Sequence, residues 1–357
     1  MRSIKTFARV RVLAIATSFA GLLLGTGTAE SSDYLSRSEV QTFIESMSAE
    51  HGLDPAEIER VLGDARYQPT VVRLIGPAPT SPSQGPRSYP AYRKKFLTKH
   101  RIAAGVRYWD LHERDLRRAQ AQYGVPAEVI LGILGVETAF GRNTGSFRVV
   151  DVLATIAFDG PRRQDYFRDE LKELLLLAHE RGMDPLSLKG SYAGAVGLPQ
   201  FMPSSYRKLA VDFDEDGVID LNGSPADAIG SVASYLQSYG WTPDETPRVI
   251  VRLPAGKQSE LVSGLDRVYE VPELKEQGVK FTSSRLPKGL CSVVELPTPG
   301  KPSKYVAGFG NFEAITRYNR STFYATAVLD LADAIHSARR HQIAARAEAN
   351  ASATEQM

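Results

Sequence analysis

Apolar residues recur at helical spacing along most of this chain and alternate at strand spacing in one region. The run from Pro126 to Gly141 reads Pro-Ala-Glu-Val-Ile-Leu-Gly-Ile-Leu-Gly-Val-Glu-Thr-Ala-Phe-Gly, which predicts one amphipathic helix. Pro126 suits its first position and Gly141 its stop. Ser36-x-x-Glu39 reads as a capping box and Asp54-Pro55-x-Glu57 as a second helix start, so residues 36–75 predict a small helical unit. Pro77, Pro79, Pro82, Pro86 and Pro90 then mark an extended stretch without helix. A long charged helix is expected from Lys94 to Ala121, and helices with Gly-rich breaks over 126–240. Helix is expected again over 322–345, ahead of a polar, frayed tail. The β-type runs are Val249–Leu253, Val279–Phe281 and Ser292–Leu296, set between Gly and Pro turns. The fold class is mainly α (α+β), a helical body with a small β-rich insertion.

Composition adds little, because 43% hydrophobic and 24% charged residues are ordinary globular values. The length of 357 residues suits two or three folding units. The N-terminus changes the picture more. Arg2, Lys5, Arg9 and Arg11 precede a short apolar run, Val12 to Leu24, and Gly27-Thr28-Ala29 offers a cleavage site. Residues 1–29 therefore read as a signal peptide, too short in its apolar part to span a bilayer permanently. The net charge of +2 includes those four cations, so the exported chain carries 2 − 4 = −2. No charge argument for nucleic-acid binding remains. Cys291 is the single cysteine, which excludes an internal disulfide and reads as a buried thiol. No cysteine ends the leader, so no lipid anchor is expected. The six histidines form no metal-spaced pair.

Glu137 is the most informative residue. Ile130, Ile133 and Leu134 precede it at helical spacing, which places a carboxylate on the apolar stripe at the negative end of the helix dipole. Desolvation and the dipole both favour the protonated form, and a protonated carboxyl near neutral pH is what a general acid for glycosidic-bond cleavage needs. The same position suits a Glu ion-paired to an Arg across the core, and position alone does not choose between the two. In Gly190–Tyr206, Gly190, Gly194 and Gly197 allow close backbone approach, while Ser191 and Gln200 supply neutral hydrogen-bonding groups. Tyr318, Asn319, Ser321 and Tyr324 offer ring faces and polar tips, the combination that sugars bind.

Asp212-x-Asp214-x-Asp216-Gly217-Val218-Ile219-Asp220 matches the first nine positions of an EF-hand loop, with Val218 giving a backbone carbonyl. The twelfth position is Gly223 in place of Glu, and the next acid is Asp227. Ser224-Pro225-Ala226-Asp227 is also a helix-start signal, in which Asp227 could cap. A calcium site and a solvated acidic turn both fit the pattern, and the first reading is the one expected.

Taken in order, Gly135-Val-Glu137-Thr, Arg162-Arg163 with Tyr166-Phe167, the Gly190–Tyr206 run and Ile315-Thr-Arg-Tyr-Asn-x-Ser-x-x-Tyr324 resemble the lytic murein transglycosylases of the B type. The resemblance covers most of the exported chain. It implies a goose-lysozyme-like helical core, a helical α domain and a small β domain. The expected parse is 1–29 signal peptide, 30–105 α domain with Pro-rich connection, 106–247 catalytic core, 248–310 β-rich domain, 311–345 return to the core and 346–357 tail. The family's catalytic Glu falls on Glu137. Its groove residues fall on Ser191, Gln200, Phe201, Tyr235, Tyr318, Asn319 and Tyr324, with Tyr166, Arg162 and Arg163 nearby. Its longer EF-hand-like loop closes with a late Asp, which supports Asp227 as a calcium ligand.

The implied activity is cleavage of the β-1,4 bond between N-acetylmuramic acid and N-acetylglucosamine in peptidoglycan, with 1,6-anhydromuramoyl ends. The implied protein is soluble, periplasmic and monomeric, with peptidoglycan strands and cell-wall enzyme complexes as partners. A lysozyme-type hydrolase, using Asp151, Asp159 or Asp165 to position water, is one rival. A non-catalytic calcium-stabilised peptidoglycan-binding protein is the other. No second carboxylate with a buried context like that of Glu137 is expected in these motifs.

Overall fold

Residues 33–76 and 87–355 are described in this computed structural model, so the leader and most of the Pro-rich stretch lie outside the described residues. The chain divides into two compact units. Among the described residues, one is built from 33–76 and 103–235, the other from 87–102 and 236–355.

In the first unit, helices Ser38–His51, Pro55–Gly63 and Pro69–Ile75 form the expected N-terminal cluster. Asp54 caps the second of these, accepting from Ala56 N at 3.0 Å. The capping box expected at Ser36 does not form. Ser36 lies in a short 3-10 turn, where its hydroxyl donates to Asp33 O at 3.0 Å, and Arg37 becomes the N-cap. A local turn bond has taken the hydroxyl that the motif assigned to the helix.

Helix Ala127–Thr138 is not amphipathic. Every residue but Glu128 and Glu137 is buried. An apolar surface on all sides belongs to a helix that is packed all round, and Gly132 and Gly135 let neighbours approach closely. Helices Glu113–Tyr123, Val149–Asp159, Gln164–Arg181 and Pro203–Leu209 belong to the same body.

The single long helix expected from Lys94 to Ala121 is three helices: Tyr89–Lys94, Lys99–Leu111 and Glu113–Tyr123. The second break falls at His112, whose φ of −118° and ψ of 27° are not helical. Neither Gly nor Pro marks it, and burial of Leu116 and Ala119 redirects the following helix. Pro90 opens the first of the three and does not extend the chain, because the lost N–H at that position has no helical partner anyway.

The second unit carries a five-stranded antiparallel sheet. Its order is Tyr269–Glu270, Leu290–Leu296, Lys304–Gly308, Arg248–Arg252, Lys280–Phe281. Ala307 is opposite both Val293 and Val249, so alternate residues of the three central strands share one face. That face packs with Leu261 and Leu274 from two short helices into a separate apolar core. Cys291 sits in it, and burial pushes its thiol up to about 11, which makes it a structural residue. Helix Thr322–Glu355 does not stop at residue 345 as expected. Its last two turns are polar but rich in Ala and free of Gly and Pro, so nothing local ends the helix.

Candidate active site

Glu137 is the penultimate residue of its helix. Ile130, Ile133 and Leu134, at the same helical spacing, are fully buried, whereas Glu137 is half-buried. The apolar stripe thus leads from the core to an edge where the carboxylate emerges. The chain leaves the helix through three consecutive left-handed residues, Ala139 (φ 51°), Phe140 (φ 63°) and Gly141 (φ 84°). Only Gly adopts that conformation freely, so Ala139 and Phe140 hold strain that their surroundings must enforce.

Thr138 supplies much of that enforcement. Its buried hydroxyl donates to Leu198 O at 2.9 Å and accepts the Gly141 N–H at 3.0 Å. The helix end is thereby tied both to its own exit turn and to the Gly-rich segment. Gln200, itself left-handed at φ 53°, makes a second tie by donating from Nε2 to Thr144 O at 3.0 Å and to Gly197 O at 2.9 Å. Both amide protons are used, so Oε1 is the group left for a ligand. Val196 and Phe201 exchange backbone hydrogen bonds at 2.7 and 3.0 Å, which closes the turn between them. A Cβ on Gly197 would lie 2.2 Å from Leu221 O, so the glycine is required there. Ser191 Oγ accepts from Ala195 N at 3.1 Å and keeps its O–H to donate.

Phe201 and Tyr235 lie inside this unit, 2% and 6% exposed, with ring centroids 5.4 Å apart. Arg162 donates to Ile75 O at 2.8 and 3.0 Å, at the end of the helix Pro69–Ile75. Arg163, at φ 60°, lays its guanidinium 4.1 Å over the Tyr166 ring. Tyr318, Asn319 and Tyr324 belong to the other unit. The two rings stack with centroids 6.5 Å apart and 16° between planes, and Asn319 Oδ1 is buried without a hydrogen-bond partner.

The expectation that no second carboxylate in the motifs is buried is overturned by Asp227, and two more acids are buried outside them. Asp151, Glu170 and Asp227 are 5%, 4% and 0% exposed. Glu170, unnoticed in the sequence, accepts from Ser204 N and Oγ at 2.9 and 2.8 Å, and burial raises its pKa despite those bonds. The one signal for it was Tyr166, four residues earlier on the same helix face. Asp151 accepts from Arg66 N at 3.0 Å and from Arg148 Nη2 at 2.7 Å. Asp159 accepts from Tyr34 at 3.0 Å and Arg37 at 2.7 Å, and Asp165 from Arg168 at 3.0 Å. These acids hold the scaffold.

In the acidic loop, carboxylate oxygens of Asp212, Asp214 and Asp227 lie within 4.8 Å of one another. That spacing suits oxygens about 2.3–2.6 Å from a shared calcium ion, so the three acids fit the expected metal. Asp227 takes the N–H groups of Phe213 at 2.6 Å and Asp220 at 2.7 Å, which pulls the two ends of the loop together. Burial, with Asp214 adding like charge, raises its pKa. Ser224 caps the following helix by accepting Asp227 N at 3.2 Å, so the Asp227 carboxylate is left for the loop. Asp216 is not in the cluster. It accepts Val218 N at 2.8 Å, and the Val218 side chain is 61% exposed.

The family model for the transglycosylase SLT domain matches residues 36–333. Membrane-bound lytic murein transglycosylase B of Escherichia coli (strain K12) is 42% identical over 312 residues, 86% of this chain and 85% of that protein. The E. coli lytic transglycosylase Slt35, solved in complex with calcium, is 40% identical with a TM-score of 0.77, over 87% of this chain and 96% of that one. SltB3 of Pseudomonas aeruginosa, solved in complex with NAG-anhNAM-pentapeptide, is 30% identical with a TM-score of 0.71, over 84% and 79% of the two chains.

Proposed function

This chain belongs to the transglycosylase SLT domain family, and from that premise we propose how its residues do the cutting. The chain is a lytic transglycosylase that cleaves peptidoglycan glycan strands. Glu137 is the acid and then the base. As a carboxylic acid it gives its proton to the oxygen between N-acetylmuramic acid and N-acetylglucosamine, and the C1–O bond breaks. The muramoyl 2-acetamido oxygen covers C1 from the opposite face. Glu137, now a carboxylate, takes the proton of the C6 hydroxyl, and O6 closes onto C1. One proton leaves Glu137 and one returns, no water is consumed, and the product ends in a 1,6-anhydro ring. One carboxylate serving twice needs no second carboxylate on the reacting sugar, unlike the two-carboxylate glycosidases.

The observation that carries this reading is the place of Glu137. It is a half-buried carboxylate at the end of an otherwise buried helix, with the Gln200 turn tied to the same helix exit. Ser191 and Gln200 offer hydrogen-bonding groups to the sugar beside it. In the other unit, Tyr318 is half-buried and offers a ring face, whereas Tyr324 and the Asn319 Oδ1 atom are buried. The relative solved with NAG-anhNAM-pentapeptide supports an anhydro product. Asp212, Asp214 and Asp227 would hold a calcium ion, which would supply charge neutralisation that keeps the loop closed. Among the described residues no helix is long and apolar enough to cross a membrane. The leader read at 1–29 supports a periplasmic enzyme.

Mass spectrometry of purified peptidoglycan digested with the enzyme tests the reaction. Muropeptides lighter by one water than lysozyme products are expected. Reducing ends alone would make the enzyme a hydrolase.

A further inference from the structure

We propose that Thr138 is a positioning residue for the reaction, holding Glu137 and the Gln200 turn in one register through its hydroxyl. The inference rests on the reading of Glu137 as the acid. Thr138 follows Glu137 directly and is 1% exposed. A Thr near the end of a helix ordinarily bonds back to the carbonyl four residues earlier, and that contact is present but long, 3.4 Å to Leu134 O. The shorter bond, 2.9 Å, goes to Leu198 O, sixty residues along the chain. The Thr138 hydroxyl oxygen itself accepts Gly141 N at 3.0 Å. One proton and one lone pair thus serve two different segments, so no other side chain of this size and shape can replace both bonds.

The surroundings give the bond its leverage. Ala139 and Phe140 are strained in the left-handed region, so the exit turn relaxes if its fastening is lost. Leu198 packs its Cγ 3.3 Å from where a Gly141 Cβ would be, and its N–H is anchored to Leu221 O at 2.8 Å. The Gly-rich segment is therefore a fixed wall. Gln200, two residues after Leu198, is tied by Nε2 to Thr144 O, six residues after Thr138. Two ties between the same two segments define their register, and the Thr138 tie is the one adjacent to Glu137. A displacement of about 1 Å at a reacting group costs on the order of 10²-fold in rate, so a bond that sets this register acts mainly on turnover.

Thr138→Val keeps the shape and removes both bonds, whereas Thr138→Ser keeps Oγ. With soluble glycan strands as substrate, Thr138→Val should lower kcat at least about tenfold with KM changed less than about threefold. The pH-rate profile should move, because the carboxyl sits in altered surroundings. Thr138→Ser should recover most of the loss. Thr138→Ala, which leaves room for a water to satisfy Leu198 O and Gly141 N, should show the same kcat loss and answers the question if the Val variant does not fold. Unchanged kcat and pH profile in a folded Val or Ala variant would overturn the proposal, as would a Ser variant as slow as the Val variant. Glu137→Gln measured alongside separates the two readings. If it is inactive while Thr138→Val is fully active, the positioning role fails and the acid stands. If Glu137→Gln is active, the assignment of the acid fails first.

Discussion

Glu170 accepts both the backbone N–H and the hydroxyl of Ser204, at 2.9 and 2.8 Å, in a place only 4% exposed. The pair fixes the start of the helix Pro203–Leu209 that follows the Gly-rich segment. Burial raises the Glu170 pKa, so the folded chain holds this proton more tightly than the unfolded chain does. The stability it contributes is complete below the ordinary carboxylate range and is lost as pH rises through the higher folded value. Glu170→Gln removes the titration and keeps the shape. The melting temperature of the variant minus that of the wild type should therefore climb as pH rises from about 4 towards neutral. A difference independent of pH would mean that the carboxyl ionises as easily in the fold as outside it.

Glu137→Gln leaves the helix packing intact, because the residues beneath position 137 are buried hydrocarbon and the side chain itself is only half-buried. Cleavage should fall at least on the order of 10²-fold, the usual worth of a positioned acid or base. Melting should change little. Turnover near the wild-type rate, measured by release of soluble muropeptides, would remove Glu137 from the chemistry.

What the sequence made legible is what is local in it. The alternation around Val249 and Val293 marked the sheet. The close spacing of Asp212 and Asp214 marked the acidic loop. Long-range bonds left no trace. Thr138 reads as an unremarkable helix-end residue until Leu198 is brought beside it, and Glu170 reads as a surface acid until Ser204 covers it. The exit turn shows only Gly141, although Ala139 and Phe140 share its left-handed backbone. The break at His112 has no local breaker and comes from packing of the helix after it.

Asp151 is a second consequence of such bonds. It joins Arg66 N, Gln68 Nε2 and the Arg148 guanidinium, while Arg148 also pairs with Asp64. The helices of the N-terminal cluster are thereby fastened to the helix Val149–Asp159. Asp151→Ala leaves a half-buried guanidinium with only Asp64 and frees the Arg66 N–H, which should cost about 2 kcal/mol. Denaturant unfolding should show that loss, and activity at low temperature should survive. A variant as stable as the wild type would show that Asp64 alone holds Arg148.

The acidic loop separates two effects that calcium titration can tell apart. Asp212, Asp214 and Asp227 face one another, and Asp214 disfavours ionisation of Asp227, so without calcium their charges oppose folding. Calcium bound only by the fold reverses that, and at saturation the melting temperature should rise on the order of 5 °C. Asp212→Asn with Asp214→Asn removes two of the three charges and keeps the side-chain shapes. This double variant should melt above the wild type in chelator and below it in excess calcium, so the two curves cross. Asp216→Asn alters a carboxylate outside the cluster, one that accepts Val218 N, and should keep most of the calcium-dependent rise. Equal calcium responses in the wild type and the double variant would show that the ion binds elsewhere. Loss of the whole response in Asp216→Asn would bring that residue into the coordination shell, with the loop closing further around the ion.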